Sequence, residues 1–146
     1  MIKASKMKNL ILSYIFLFSM INVSLAQEGS NQNGFGSKKL IVMVNTAKWC
    51  PVCKANGPRV EKNVLSKFQE NKHCEILIND LSNKETKKTS EQVYTAAGIH
   101  EVAKNNKGTG VIYFIDYKSK RLISMISIAK TDEEIINAFD KALSSL

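Results

Sequence analysis

Leu40-Ile41-Val42-Met43-Val44 is an unbroken apolar run, and shortly after it the chain reads Cys50-Pro51-Val52-Cys53. Alternate residues of a strand point to opposite sides, so a continuous apolar run predicts a strand covered on both faces. Such a strand needs a layer of structure above it and another below. Beyond it, Val60, Val64, Leu65 and Phe68 recur at helical spacing and predict a helix from Cys50 to about Gln69. The paired cysteines therefore fall where a central strand gives way to a helix.

The rest of the chain supplies the other layers. Ile76-Leu77-Ile78 predicts a second short buried strand, ended by Asn79-Asp80, and residues 81–88 read as polar loop. From Ser90 to about Lys104, Val93, Ala96, Ala97 and His100 share one face of a predicted helix, which Gly98 weakens. A loop over 105–110 leads into a third strand, Val111 to Ile115. A polar turn over 116–120 and a fourth strand, Leu122 to Ile128, complete a hairpin. Thr131-Asp132-Glu133-Glu134 is a capping box that opens a last helix, whose apolar face is Ile135, Ile136, Phe139, Ala142 and Leu143. The order β-α-β-α-β-β-α makes the first two strands parallel and the hairpin antiparallel. It predicts an α/β fold in three layers, a mixed central sheet with helices on both faces.

The formal net charge of +8 over 146 residues raises nucleic acid or an acidic surface as a partner. The N-terminus changes that reading. Lys3, Lys6 and Lys8 form a positive region with no acid, and Leu10 to Val23 is mostly apolar. Ser24-Leu25-Ala26 then places small residues at a cleavage site before Gln27. This layout predicts a secretory signal peptide over residues 1–26. Its apolar run is about 14 residues, short of the ~20 that a spanning helix needs. Cleavage after Ala26 removes three lysines and no acid, so part of the positive charge belongs to the export signal. The remaining charge is spread along the chain without interleaved aromatics, which predicts no nucleic-acid partner. The expected location is periplasmic or secreted, with no membrane association after cleavage. Residues 27–37, QEGSNQNGFGS, read as a flexible lead-in, and residues 38–146 as one domain.

All three cysteines, Cys50, Cys53 and Cys74, follow the cleavage site and meet a compartment where disulfides persist. Pro51 suits the first helical position, because its missing N–H has no partner there and its φ is already helical. Cys50 then lies beside free backbone N–H groups at the positive end of the helix dipole, which favour a thiolate. Cys53, one turn on, is within disulfide reach. Three uses of the pair remain open: a redox couple, half of a zinc site, or a structural disulfide. Zinc would have to recruit from His73, Cys74 and His100, since no second Cys-x-x-Cys pair exists. A structural disulfide would close a very small loop and constrain little. Lys48, Lys54 and Arg59 surround the motif and would favour a thiolate. Cys74 reads as a buried free thiol.

Trp49-Cys50-x-x-Cys53-Lys54 resembles the active site of the thioredoxin superfamily. Pro58, five residues after Cys53, matches the proline that kinks the family's active-site helix. Gly108-Thr109-Gly110-Val111 and the strand after it resemble the family's Gly-Thr-Pro-Thr segment. The resemblance covers residues 38–146 and implies a thioredoxin-like three-layer sandwich. It also implies a thiol–disulfide oxidoreductase with Cys50 as nucleophile, Cys53 as resolving thiol, and a Cys50–Cys53 disulfide in the oxidised state. Trp49, Pro51, Val52, Thr109 and Gly110 would form the substrate surface. Neither a metal nor a cofactor is implied. The implied partners are protein disulfides or dithiols and a redox partner protein. Two departures stand out. The family's cis-proline position falls on Gly110, and Pro51 and Pro58 are the chain's only prolines. Val44 stands where some members bury an acid. The missing proline keeps a second class of function open, a non-enzymatic thioredoxin-like module that binds metal or a partner protein.

Overall fold

The computed structural model describes residues 37–146; the expected signal peptide over 1–26 and the lead-in before Ser37 lie outside the described residues. The elements run β1 (Leu40–Thr46), α1 (Pro51–Val60), a π turn (Glu61–Leu65), α2 (Ser66–Glu70), β2 (Cys74–Asp80), α3 (Lys84–Ala96), α4 (His100–Asn105), β3 (Val111–Asp116), β4 (Leu122–Ser127) and α5 (Asp132–Ser144). The sheet order is β2-β1-β3-β4. β1 pairs parallel with β2 and antiparallel with β3, and β3 and β4 form the antiparallel hairpin. The mixed sheet, with helices on both faces, is the architecture the element order predicts.

β1 is the central strand, and Leu40 to Met43 are fully buried. Leu40, Val42 and Val44 point into a core shared with Val60, Val64, Phe68, Phe114 and Phe139, which α1, α2 and α5 cover. Ile41 and Met43 point the other way, against Leu77, Ile99, Ala103, Tyr113 and Ile115, beneath α3 and α4. The helical face expected after the cysteines is present, with Val60, Val64, Leu65 and Phe68 all buried. The segment is not one regular helix. Pro58 lies inside α1 and cannot donate to the ladder, and a wider π turn follows directly.

Three sequence expectations are corrected. β2 is an edge strand rather than a buried one: Leu77 is covered, but Ile78 on the opposite face is 48% exposed. Residues 81–88 are not all loop. Asn83 caps α3 by accepting from the N–H groups of Glu85 and Thr86, and Thr86 completes the capping box. The segment from Ser90 to Lys104 is two helices, because Gly98 adopts φ +75° and breaks the run. The inward face is consequently Ser90, Tyr94 and Ala97 with Ile99, while Val93 and Ala96 face outward.

α5 closes the first core. Thr131 accepts from the Glu134 N–H, and Ile135, Phe139 and Ala142 are buried as the sequence pattern requires. The Phe139 ring stacks on Phe68 at 4.0 Å between centroids and meets Phe114 edge-on at 6.2 Å. Removing a buried aromatic from such a cluster loses transfer free energy and leaves a cavity. Phe139→Ala is expected to cost about 3–5 kcal/mol, read as a lowered midpoint of urea unfolding at unchanged slope. A change under about 1 kcal/mol would mean that α5 does not close the core.

Candidate active site

The end of β1 delivers the paired cysteines to the start of α1. Cys50 is the N-cap, with extended backbone, and Pro51 opens the helix. Cys50 and Cys53 are joined as a disulfide with Cα atoms 5.2 Å apart. The Cys53 N–H donates to Cys50 Sγ at 3.1 Å. One of the unpaired donors of the helix N-terminus is thus aimed at the sulfur, as the placement of Pro51 implies. The pair is nearly covered, Cys50 at 3% and Cys53 at 6% exposure, and the exposed Trp49 and Val52 flank it.

Gly110 occupies the position facing the disulfide. Its φ is +72°, and a Cβ built there would lie 3.0 Å from Val52 Cγ1 and 3.7 Å from Cys50 Sγ. Only a residue without a side chain brings its backbone this close to the pair in this conformation. The Gly110 N–H donates to the Asn45 carbonyl at 2.8 Å, and the Gly110 carbonyl accepts from the Ile128 N–H at 3.0 Å. Both of its backbone groups are therefore engaged by the fold. Thr109, half-buried beside it, has neither backbone group bonded to another described residue. No peptide bond among the described residues is cis.

The charges around the motif divide. Lys48 and Lys54 are exposed beside it. Arg59, expected from sequence to favour the thiolate, is otherwise occupied. It pairs with Asp132 and donates to the carbonyls of Ile128 at 2.8 Å and Lys130 at 2.9 Å. Asn63 also donates to Asp132, at 2.9 Å. This cluster ties α1 and the π turn to the start of α5 and the segment before it. Val44 is buried in the first core, so the strand carries no acid beneath the disulfide.

Cys74 begins β2, in register with Leu40 at the far end of β1 from the motif. It is a buried free thiol. Burial pushes it up to about 11, and Lys38 nearby only partly opposes this. Neither Cys74 nor His73 is brought to Cys50 and Cys53. Among the described residues, no three His, Cys, Asp or Glu side chains gather in a way that holds a metal ion. No helix among them is long and apolar enough to cross a membrane.

Sequence reasoning missed the polar floor beside the motif. Asn45 is fully buried; its Nδ2 donates to the Asn106 carbonyl at 2.7 Å, and its Oδ1 accepts from Asn79 Nδ2 at 2.9 Å. The signal was present as an asparagine ending each of two apolar strands at paired positions. The indole of Trp49 donates to the Leu81 carbonyl at 3.3 Å, which sets the ring over the end of β2.

The parallel β1–β2 pair, the antiparallel β3–β4 hairpin and a cysteine pair at the strand-to-helix junction form an α/β arrangement consistent with a thioredoxin-like fold. No protein-family model matches the sequence, and no curated protein matches it. Among solved structures, the chain is similar to the Trxlp protein of Edwardsiella tarda at 14% identity, covering 69% of this chain and 82% of that one with a TM-score of 0.43. It is similar to a mutant tryparedoxin-I at 17% identity, covering 65% and 73% with a TM-score of 0.46. Thioredoxin from Wuchereria bancrofti matches at 17% identity over 74% and 84%, with a TM-score of 0.43. All three likenesses are distant.

Two expectations follow from the geometry. Gly110→Ala places a Cβ against Val52 at a positive φ and should destabilise the fold by about 1–3 kcal/mol, measured by urea unfolding of the oxidised protein. A Gly110→Ala protein as stable as wild type would contradict the close approach. A thiol whose folded value is raised stays protonated while the unfolded chain has already lost its proton. Stability from Cys74 therefore falls as pH rises from the ordinary thiol range towards about 11. At pH 8 the native, oxidised protein should take up iodoacetamide at Cys74 at least about tenfold more slowly than the urea-unfolded protein, as read by mass.

Proposed function

We propose that this protein is an exported thiol–disulfide oxidoreductase acting on protein substrates through Cys50 and Cys53. The observation that carries the reading is the disulfide at the N-terminus of α1, with the Cys53 N–H on Cys50 Sγ and the bare backbone of Gly110 against it. An N–H directed at sulfur and the helix dipole both favour negative charge on Cys50 once the pair is reduced. The signal-like sequence over residues 1–26 supports export.

In the reducing direction, the Cys50 thiolate attacks one sulfur of a substrate disulfide. A Cys50–substrate bond forms, the substrate S–S bond breaks, and the departing sulfur leaves as a thiolate that takes a proton from solvent. Cys53 then loses its proton and attacks Cys50 Sγ. This forms the Cys50–Cys53 bond and releases the second substrate thiol. Two electrons have passed from the pair to the substrate, and a dithiol partner protein restores them by the same exchange. Run backwards, the sequence oxidises a substrate dithiol. Trp49, Pro51 and Val52 surround the pair, and Thr109 presents unengaged backbone groups to an extended segment of substrate. Gly110 contributes the close approach.

The reading is tested by reduction of insulin with dithiothreitol. Wild type is expected to accelerate precipitation of the insulin B chain, and Cys50→Ser to return it to the dithiothreitol background. Cys53→Ser is expected to accumulate a substrate adduct that runs at higher mass without reductant. Equal rates for wild type and Cys50→Ser would sink the proposal.

A further inference from the structure

The loop between α4 and β3, residues 106–110, is tied to the sheet at alternate positions. The Asn106 carbonyl accepts from Asn45 Nδ2 at 2.7 Å, and the Gly108 carbonyl accepts from the Tyr113 hydroxyl at 3.4 Å. The Gly110 N–H donates to the Asn45 carbonyl at 2.8 Å, and its own carbonyl accepts from the Ile128 N–H. A Cβ on Gly108 would lie 3.1 Å from the Tyr113 oxygen, so this approach also favours glycine. Between the tied residues stands Thr109, with neither backbone group bonded to another described residue. Asn45, two residues after Met43 on β1, points to the α3 and α4 side of the sheet, whereas the disulfide packs in the other core. The loop is therefore held from one face of the sheet and meets Cys50 on the other, through Gly110.

Asn45 holds both ends of this loop. Its carbonyl bond to Gly110 is one that any residue would supply, but the bond to Asn106 belongs to the asparagine. The amide has one workable orientation. Flipped, it would set Oδ1 against the Asn106 carbonyl, two acceptors face to face, so Nδ2 faces Asn106 and Oδ1 accepts from Asn79 Nδ2 at 2.9 Å. Both asparagines are buried. The arrangement costs stability, because Asn79 Oδ1 is sealed from solvent without a partner among the described residues. Two apolar side chains would carry no such penalty. What the amides add in return is a fixed direction for the Asn106 carbonyl, and with it for the loop.

We propose that Asn45 is a positioning residue of the redox site, its amide fixing loop 106–110 so that Thr109 meets an extended polypeptide at a set distance from Cys50. Asn45 touches neither substrate nor sulfur and acts through the loop. A loose loop samples many backbone conformations, and a substrate binding to it would have to order it. A loop ordered in advance removes that cost from binding. The effect falls on substrates that use the Thr109 backbone, which a small disulfide without peptide groups does not. For its consequence on turnover the proposal rests on the redox reading, and its test separates the two.

The test replaces the pair together. In Asn45→Val/Asn79→Val neither amide is left facing a missing partner, and the carbonyl of the half-buried Asn106 can turn to water. Amide exchange at Gly110 is expected to quicken at least about tenfold, while exchange at Val42 in the middle of β1 stays as in wild type. The kcat/KM for a blocked peptide closed by one internal disulfide should fall at least about tenfold more than that for hydroxyethyl disulfide, through a raised KM. Tyr113→Phe releases the second tether by one hydroxyl and should move the same ratio in the same direction, about threefold. It keeps the test decisive if the double variant does not fold. A merely structural role would lower both rates together, along with the thermal midpoint. Equal falls for the two disulfides, an unmoved ratio in Tyr113→Phe, or unchanged Gly110 exchange would overturn the inference. Binding of the same peptide, with serines for its cysteines, is followed in a Cys50→Ser/Cys53→Ser protein through Trp49, the only tryptophan in the chain. Binding that the two valines weaken, without turnover of either disulfide by wild type, would uphold the loop and remove the redox reading. Binding that they leave unchanged would overturn the role of Asn45.

Discussion

Burial of β1 on both faces is the constraint on which the rest of the molecule depends. Its N-terminal residues are sealed from solvent, and their side chains alternate between two cores. Both of its edges are paired, one in parallel and one antiparallel. A strand held on four sides has a defined exit point. That exit sets where Cys50 meets the N-terminus of α1, and the Asn45 carbonyl at the same end fixes the Gly110 backbone against the disulfide.

The site follows from that placement without unusual parts. The sulfur pair uses a helix end whose N–H groups have no intrahelical partner, so negative charge on Cys50 gains a donor that costs the fold nothing. Arg59 serves the scaffold, holding α1 to the start of α5 through Asp132 and to the segment before it through two carbonyls. The fixed local stabilisation of sulfur thus comes from backbone groups. Lys48 and Lys54 at the rim are exposed, so their charges are screened by salt.

Much of this was legible in the chain. The continuous apolar run identified β1, and the proline between the cysteines located the helix start to the residue. The last helix was readable from its capping box and apolar spacing, because local hydrogen bonding and one-sided burial both leave periodic marks. The middle of the chain was less legible. The sequence 81–88 is polar and looked like loop, yet Asn83 caps a helix there whose exposed side is merely charged. Val93 pointed to the wrong face, because Gly98 ends α3 and changes the direction of the chain before Ile99 reaches the core. The edge position of β2 was not visible either, since a short apolar strand reads alike at the centre and the rim of a sheet.

The sequence by itself determined the order of elements and the place of the cysteine pair; that Gly110 falls at the proline position of the thioredoxin superfamily is what its resemblance to that family implies. These are properties of neighbouring residues, and local sterics and hydrogen bonding are enough to express them. Tertiary structure decided what that glycine touches, that Arg59 is bound to Asp132, that Cys74 is remote from the pair, and that Asn45 and Asn79 meet. Each of these depends on bringing together residues dozens of positions apart, and the packing of two cores around β1 sets those distances.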